Sequence, residues 1–113
     1  MKSPQQLIQQ QVDAYNQRDL QAFTACFHQD IKLYNFGESE PYLTGMDALA
    51  ASYKEVFEQS PNLHASIDHR IVLENTIIDH EKVTGRKGIG FIEVVVIYQV
   101  EGEKIKSVTY IRN

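Results

Sequence analysis

Residues 90–100 read GFIEVVVIYQV, and this segment constrains the fold more than any other part of the chain. A β-strand shows alternate residues to opposite faces of its sheet. Here both alternating sets are apolar from Val94 to Ile97, which is typical of a strand that is buried on both sides. Other parts of the structure must therefore pack against both faces of the sheet that contains this strand.

Alternation of period two predicts four strands in the second half of the chain, at about 62–73, 76–85, 91–100 and 104–112. Helical spacing predicts three helices in the first half, beginning after Ser3, Asp19 and Thr44, with a strand from Ile31 and a shorter one before the third helix. Successive strands with short links form an antiparallel sheet, and three helices can cover one of its faces. The sequence predicts a single α+β domain over residues 1–113.

The second face of the sheet needs another cover, because three helices cannot reach both sides of a strand. An extended apolar face on a protein surface commonly marks an interface. We therefore predict a homodimer through an outer sheet face made of Ile71, Ile78, Val95, Ile97 and Ile111.

Charge and cysteine content narrow the class of protein. Fifteen acidic residues against eleven basic ones give a net charge of −4, and the basic ones are scattered, which argues against a nucleic-acid partner. The single cysteine, Cys26, forms no intramolecular disulfide, which fits a reducing compartment. The start, MKSPQQLIQQQ, lacks the apolar run of a signal peptide, and no membrane span is visible. We expect a cytoplasmic protein that binds neither nucleic acid nor membrane.

Two segments, VDAYNQRDLQAFTACFHQDIKLY and EPYLTGMDALAASYKEVFE, followed by four strands, resemble the nuclear-transport-factor-two-like superfamily. Within that superfamily, the sequence is most similar in pattern to the SnoaL-like and ketosteroid-isomerase-like branch. The resemblance covers essentially the whole chain and rests on element order, the N-x-x-D break between the first helices and the G-x-x-A start of the third. It implies a cone-shaped domain, a cystatin-like α+β barrel in which a curved antiparallel sheet wraps on the helices around a pocket. Members include isomerases, cyclases, dehydratases, epoxide hydrolases and non-enzymatic binders, so the fold alone does not give the function.

The resemblance does not extend to the catalytic residues of ketosteroid isomerase. That enzyme uses an aspartate base and an oxyanion hole made of a tyrosine and a protonated aspartate. The resemblance places the tyrosine on Gln11, the base on Asn35 and the protonated aspartate near Val96. Asn35 cannot accept a proton as a carboxylate does and Val96 donates nothing, so we do not expect steroid isomerisation by that mechanism. Tyr53 does match a pocket-lining tyrosine of relatives.

A group of charges interrupts the otherwise apolar strand NTIIDHEKVTG, residues 75–85. The resemblance implies that Asp79 and Glu81 face the inside of the cone. On the preceding strand it implies an inward set of His64, Ser66, Asp68, Arg70 and Val72.

The turn between these strands gives an independent register. A two-residue loop at Glu74-Asn75 puts Arg70 directly opposite Asp79, and Asp68 opposite Glu81. On the other face it puts His69 opposite His80. We expect Arg70 and Asp79 to form a charge pair on the cavity wall.

The same strands permit a second interpretation. Leu63, Ala65, Ile67, Ile71 and Leu73 alternate with the charged set, and an apolar strand face normally packs in the core. In that arrangement the charged face lies in water, and an exposed cross-strand ion pair is ordinary. The apolar run 94–97, which calls for an apolar outer face, favours the charges inside.

The predicted function is to bind a small hydrophobic or polar organic ligand in a pocket. The pocket would contain acid/base residues, and no cofactor is expected. As an isomerase, cyclase, dehydratase or hydrolase it would use Asp79 or Glu81 as base, His64 as acid/base partner and Arg70 as anion stabiliser. The substrate pocket would hold Asn35, Tyr53, Val96, Tyr98 and Tyr110. A metal site is not predicted, because His64 and His69 are five residues apart on one strand and no H-E-x-x-H or paired cysteines occur. The alternative is a non-catalytic ligand-binding or dimerisation module of the same fold.

Overall fold

A computed structural model describes residues 2–112 of the chain. The predicted order of helices and strands is confirmed. The helices are α1 (Pro4–Asn16), α2 (Leu20–Thr24) and α3 (Met46–Gln59), and the strands are β1 (Phe27–Asn35), β2 (Leu43–Thr44), β3 (His64–Leu73), β4 (Thr76–Arg86), β5 (Ile89–Glu101) and β6 (Lys104–Arg112).

The first two helices begin where their capping residues place them. The Ser3 hydroxyl oxygen accepts from the Gln6 backbone N–H at 3.2 Å, and the Gln6 side-chain oxygen accepts from the Ser3 N–H at 2.9 Å. This reciprocal capping box satisfies two of the N–H groups that a helix start leaves unpaired. At α2, the Asp19 carboxylate accepts from the Ala22 N–H at 3.1 Å in the same way.

The six strands form one curved sheet in the order β2-β1-β6-β5-β4-β3. Neighbouring strands run antiparallel, as predicted, except that β1 pairs with β6 in parallel. The antiparallel expectation is wrong at this point because the two strands come from opposite ends of the chain, with α3 between them. The parallel pair joins the first strand to the four-strand meander and closes one side of the cone.

The register between β3 and β4 contains a β-bulge. The two-residue loop is confirmed, and Arg70 pairs with Asp79 and His69 with His80. Below these pairs, Ile67 lies opposite Glu81, so the expected pairing of Asp68 with Glu81 is wrong. Asp68 is an extra residue in β3, and an extra residue reverses the faces of the strand on its two sides.

The bulge reconciles the two interpretations of β3. Leu63 and Ala65 lie in the core before it, as an apolar strand face should. After it, Arg70 turns inward and Ile71 is 61 % exposed on the outer face. The first half of the strand therefore follows the core interpretation, and the second half follows the charged-interior interpretation.

The inner face of the sheet packs on α1 and α3 and forms the core. Its largest fully buried side chains include Phe23, Ile8, Ile31, Leu33, Leu49 and Ile77. The residues predicted as a dimer surface lie on the opposite face, where Ile71, Ile78 and Ile97 form one cross-strand row and Val95 and Ile111 belong to the next. No helix of residues 2–112 has the length and hydropathy to cross a membrane.

Gly85 fixes the end of β4. Its φ of +80° lies in the left-handed region that favours glycine, and an added Cβ would lie 2.0 Å from the Asn62 carbonyl oxygen. The close approach of these two backbones, together with the Lys87 N–H that donates to Ser60 Oγ at 3.1 Å, holds the β4–β5 turn against the residues that follow α3.

Candidate functional site

A cavity of about 80 Å³ lies between α1, α3 and the inner face of the sheet. Apolar side chains form much of its wall, and a small set of polar groups converges on it, which is the usual composition of a ligand site. Among residues 2–112 it is lined by Gln11, Val12, Tyr15, Tyr53, Ala65, Glu81, Val83, Arg86, Ile92, Val94, Val96, Tyr98, Tyr110 and Arg112.

Strand alternation explains the charges of β4. Asp79 and Glu81 point inward with Ile77 and Val83, while His80 points outward. On the outer face the His80 ring stacks on His69, with ring centroids 6.0 Å apart, and its Nε2 lies 2.6 Å from the Glu93 carboxylate. The three ionisable residues thus serve two separate surfaces.

Asp79 is fully buried and completely engaged by Arg70. Arg70 Nε donates to one carboxylate oxygen at 2.6 Å and Nη2 to the other at 2.8 Å, and Nη1 donates to the Gln9 side chain at 3.0 Å. This bidentate arrangement is the strongest geometry for a guanidinium and a carboxylate. Neither partner belongs to the set that lines the cavity, so the pair forms a charged wall behind it.

Glu81 is 6 % exposed and lines the cavity. One carboxylate oxygen accepts from the Tyr98 hydroxyl at 3.0 Å. Burial raises the pKa of the Glu81 carboxyl to about 7, and the negative charge of Asp79 adds to this, although the Tyr98 hydrogen bond and Arg70 oppose it. A carboxyl of this kind is present in both protonation states near neutral pH, as a general acid/base requires.

Three tyrosine hydroxyls complete the polar wall. The Tyr53 and Tyr110 hydroxyls lie 3.1 Å apart, so one donates to the other and the second retains its proton for another acceptor. Burial raises the pKa of Tyr53, Tyr98 and Tyr110, which keeps these groups as hydroxyl donors rather than phenolates.

Gln11 carries the one orphaned polar atom among the buried side chains of residues 2–112. Its residue is 7 % exposed, and its Oε1 has no hydrogen-bond partner. Leaving a buried acceptor unsatisfied costs about 1–3 kcal/mol. Because Gln11 lines the cavity, a ligand that donates a hydrogen bond there would recover this cost.

Arg86 and Arg112 are the two exposed residues of the cavity lining. The Arg112 guanidinium lies over the Tyr110 ring, 4.6 Å from its centroid, donates to the Tyr42 hydroxyl at 3.2 Å and is hydrogen-bonded to the Asn35 side chain. Within the described residues, neither arginine forms an ion pair with a carboxylate.

The structure brings together some of the residues expected from the sequence and separates others. Glu81, Tyr53, Val96, Tyr98 and Tyr110 line the cavity, and Arg70 and Asp79 lie behind it.

Two expected residues lie elsewhere. His64 is exposed on the outer side of β3, because the bulge at Asp68 reverses the facing that strict alternation gives. Asn35 is exposed at the end of β1, where it contacts Arg112 outside the cavity lining. His64 is thus not beside Glu81, and the acid/base pair expected from the sequence does not form.

Sequence reasoning missed Gln11, Tyr15, Arg86 and Arg112 as lining residues. Gln11 had a signal, because the family resemblance placed the oxyanion-hole tyrosine at that position. Arg86 lies in the segment GRKGIG, whose glycines indicate a turn between two strands and not a ligand site. Arg112 had no local signal, since its place depends on the register of β6.

The site is equipped for proton transfer on a small molecule. Glu81 can accept or return a proton, the tyrosines can donate hydrogen bonds to an oxygen that gains negative charge, and the two arginines bring positive charge to the entrance. Within residues 2–112 no three histidine, cysteine or acidic side chains are grouped as ligands for a metal ion.

Comparison with known proteins identifies relatives of the fold. The family model described as a SnoaL-like domain matches residues 8–108. An uncharacterised cystatin-fold protein from Novosphingobium aromaticivorans superposes with a TM-score of 0.90 at 21 % identity, over 99 % of this chain and 100 % of that one.

Two further similar structures are described by a small molecule. A hypothetical protein of ketosteroid isomerase-like fold from Catenulispora acidiphila, in complex with trimethylamine, superposes with a TM-score of 0.77 at 15 % identity over 96 % of this chain and 85 % of that one. A computationally designed 17-OHP binder superposes with a TM-score of 0.85 at 14 % identity, over 99 % of this chain and 93 % of that one. No curated protein matches this sequence.

Proposed function

Because this chain belongs to the SnoaL-like domain family, we propose that it binds a small organic molecule in its cavity and exchanges protons with it through Glu81. The reaction class is that of a cofactor-independent isomerase, cyclase or dehydratase. The observation that carries the proposal is a buried carboxyl that lines a cavity, has one hydrogen bond and has a pKa of about 7.

In the proposed step, the Glu81 carboxylate removes a proton from a carbon next to a carbonyl group. The electron pair of the broken C–H bond moves into the carbonyl, and the resulting enolate oxygen accepts hydrogen bonds from the Tyr53–Tyr110 pair. Protonated Glu81 then returns the proton to the same carbon or to another one. General acid/base catalysis of this type typically contributes 10²–10⁴-fold in rate.

Asp79 is the weaker of the two candidate bases. Both of its carboxylate oxygens accept hydrogen bonds from Arg70, and neither side chain lines the cavity. Its proposed role is to hold a negative charge behind Glu81, which helps to keep the Glu81 pKa high. Arg70 accordingly stabilises Asp79 rather than a substrate anion.

Hydrogen–deuterium exchange at carbon tests this function without a known substrate. The protein in D₂O is incubated with small ketones, aldehydes and oxo acids, and deuterium incorporation next to the carbonyl is followed by NMR. We expect exchange above the buffer rate that rises with pH through about 7, and a loss of about 10²-fold or more in Glu81→Gln.

Glu93→Gln is the matched control, since Glu93 is a carboxyl on the outer face of the same sheet, bound to His80. It should leave the exchange rate unchanged. If Glu81→Gln retains the exchange activity, Glu81 is not part of the mechanism. If the wild-type protein exchanges none of the compounds in the panel, a binding function is favoured.

A non-catalytic binding module is the second candidate function. The unpartnered Gln11 oxygen favours it, because that acceptor needs only a bound donor and no chemistry. A molecule that raises the melting temperature of the wild-type protein but not of Gln11→Leu, without carbon exchange, is the expected sign of this function.

We also propose a homodimer in the cytoplasm. The support for the dimer is the outer-face set of Ile71, Ile78, Val95, Ile97 and Ile111, and the compartment rests on the buried free thiol of Cys26. Ile97→Asp should give a monomer in sedimentation, whereas a monomeric wild-type protein at micromolar concentration would contradict the interface.

A further inference from the structure

We infer that the ligand of this cavity is a fragment-sized organic anion, a short-chain carboxylic acid whose carboxylate is held by Arg86 and Arg112. Its reactive carbon then points toward Glu81. The inference rests on the proposed function for the orientation of the ligand, and it adds the chemical class and the residues that select it.

The first argument is the charge at the entrance. Arg86 and Arg112 belong to the lining of one cavity, and the carboxylates of residues 2–112 leave both guanidinium groups without an ion pair. Both charges also act on the same hydroxyl, that of Tyr53. The remainder of the protein is net acidic, so two cations without ion pairs in the lining of one cavity are a local exception. A carboxylate offers two oxygens that match the planar guanidinium.

The second argument is that Arg112 is already oriented. Its guanidinium stacks over Tyr110 and is hydrogen-bonded to Asn35 and Tyr42, both neutral acceptors. These contacts fix the group without neutralising it, so little side-chain freedom is lost when an anion binds. Asn35, which was expected inside the pocket, instead supports this arginine from outside.

The third argument is size. A cavity of about 80 Å³ is well below the roughly 300–1,000 Å³ typical of sites for drug-sized ligands. It favours a molecule of a few carbon atoms over a polycyclic one. The inner end offers Glu81, the Tyr98 hydroxyl and the unpartnered Gln11 oxygen, so a carboxylate placed there would face an acidic group and an acceptor. The charge distribution thus directs the carboxylate outward and the uncharged part of the molecule inward.

The test compares carboxylates with their neutral amides. Acetate, propionate, pyruvate and 2-oxobutyrate, and the corresponding amides, are titrated into ¹⁵N-labelled protein at low salt, and the backbone signals of Arg86 and Arg112 are followed by NMR. We expect saturable shifts with the acids, weaker binding by the amides, and weakening of acid binding by added salt.

Variants assign the effect to the two arginines. Arg86→Gln and Arg112→Gln should each weaken carboxylate binding about tenfold or more, as the loss of one charge-assisted contact implies. Lys87→Gln is the matched control: it removes the same charge from the neighbouring residue of the same hairpin, and Lys87 is outside the cavity lining. It should change binding less than twofold. Because both arginines are exposed, the variants should retain the wild-type NMR dispersion.

The inference is overturned by no saturable binding of any acid in the series, by equal binding of acids and amides, or by Lys87→Gln weakening binding as much as Arg86→Gln. Its failure is separate from failure of the proposed function. If carboxylates bind through the arginines but show no Glu81-dependent exchange, the anion site stands and the proposed reaction is wrong. If only neutral ketones show Glu81-dependent exchange, the proposed reaction stands and the anion site is wrong.

Discussion

The inner face of β4 holds two carboxyl groups two residues apart, and their surroundings are opposite. Asp79 is in a closed region, where Arg70 occupies both of its oxygens and Gln9 supports Arg70. Glu81 is in an open region, where it has one hydrogen bond from Tyr98 and a cavity beside it. In the second environment, burial raises the pKa of Glu81 to about 7, so this carboxyl can gain and lose a proton near neutral pH. Burial alone therefore does not distinguish the two carboxyl groups, since both are buried; the bidentate cationic partner does.

Removing the cation of the closed region should have the largest effect. Arg70→Ala leaves Asp79 buried without its partner, and breaking a buried pair in this way costs about 3–5 kcal/mol of unfolding free energy. Urea unfolding at neutral pH measures it. Arg86→Ala, which removes an exposed arginine, is the control. A decrease in unfolding free energy of less than about 1 kcal/mol would mean that the pair behaves as a surface pair, and the two regions would then not differ as described.

Glu81→Gln should stabilise the protein, in the direction opposite to the first variant. The folded-state pKa of Glu81 is raised from 4.5 to about 7, so the folded state binds more protons than the unfolded state between these values. Stability therefore falls as pH rises through this window, by about 3 kcal/mol in total. Glutamine cannot ionise, so the variant should exceed wild type above pH 7 and match its slope elsewhere. Equal pH slopes for the two proteins would show that Glu81 titrates normally.

Tyr98→Phe should sharpen the description of the open region. The Tyr98 hydrogen bond favours the charged carboxylate, so its removal should raise the pKa of Glu81 further. The loss of one hydrogen bond should cost about 1 kcal/mol in stability. A ¹³C NMR titration of the Glu81 carboxyl measures the pKa directly, with Tyr53→Phe as a tyrosine control that keeps the Glu81 contact. A downward shift would contradict the assigned donor.

The smallest effect is expected at the ion pair beside the bulge. Lys82 Nζ lies 3.0 Å from the Asp68 carboxylate, a separation close to that of the buried pair, but both groups face solvent. Lys82→Gln should leave the urea midpoint within the error of the measurement, because exposed pairs gain little in water. A loss comparable with that of Arg70→Ala would show that ion pairing, and not burial, sets the difference between the regions.

Local patterns predicted most of the fold. The capping residues Ser3 and Asp19, the two-residue loop after Leu73 and the alternation of β4 are encoded within a few residues, and each is observed as expected. The parallel pairing of β1 with β6 was not predictable in this way, since it joins distant segments.

The site was predictable in part. The family resemblance placed Glu81, Tyr53 and Val96 toward the inside of the cone, and the hairpin loop placed Arg70 opposite Asp79. His64 was misplaced because its position is counted across the bulge, and a single unpaired residue leaves no clear mark in the sequence. Arg86 and Arg112 are the last residues of β4 and β6, and their place in the cavity lining depends on how distant segments pack together, which local residue patterns do not describe.

The bulge at Asp68 makes β3 sensitive to a change of one residue in its length. Deleting one codon there would restore strict alternation, and one half of β3 would have to rotate to its other face. Either Leu63 and Ala65 would leave the core, or Arg70 would leave Asp79. A single-residue deletion at this position would thus break either the apolar packing of β3 or the buried ion pair behind the cavity, while the order of the strands stays the same.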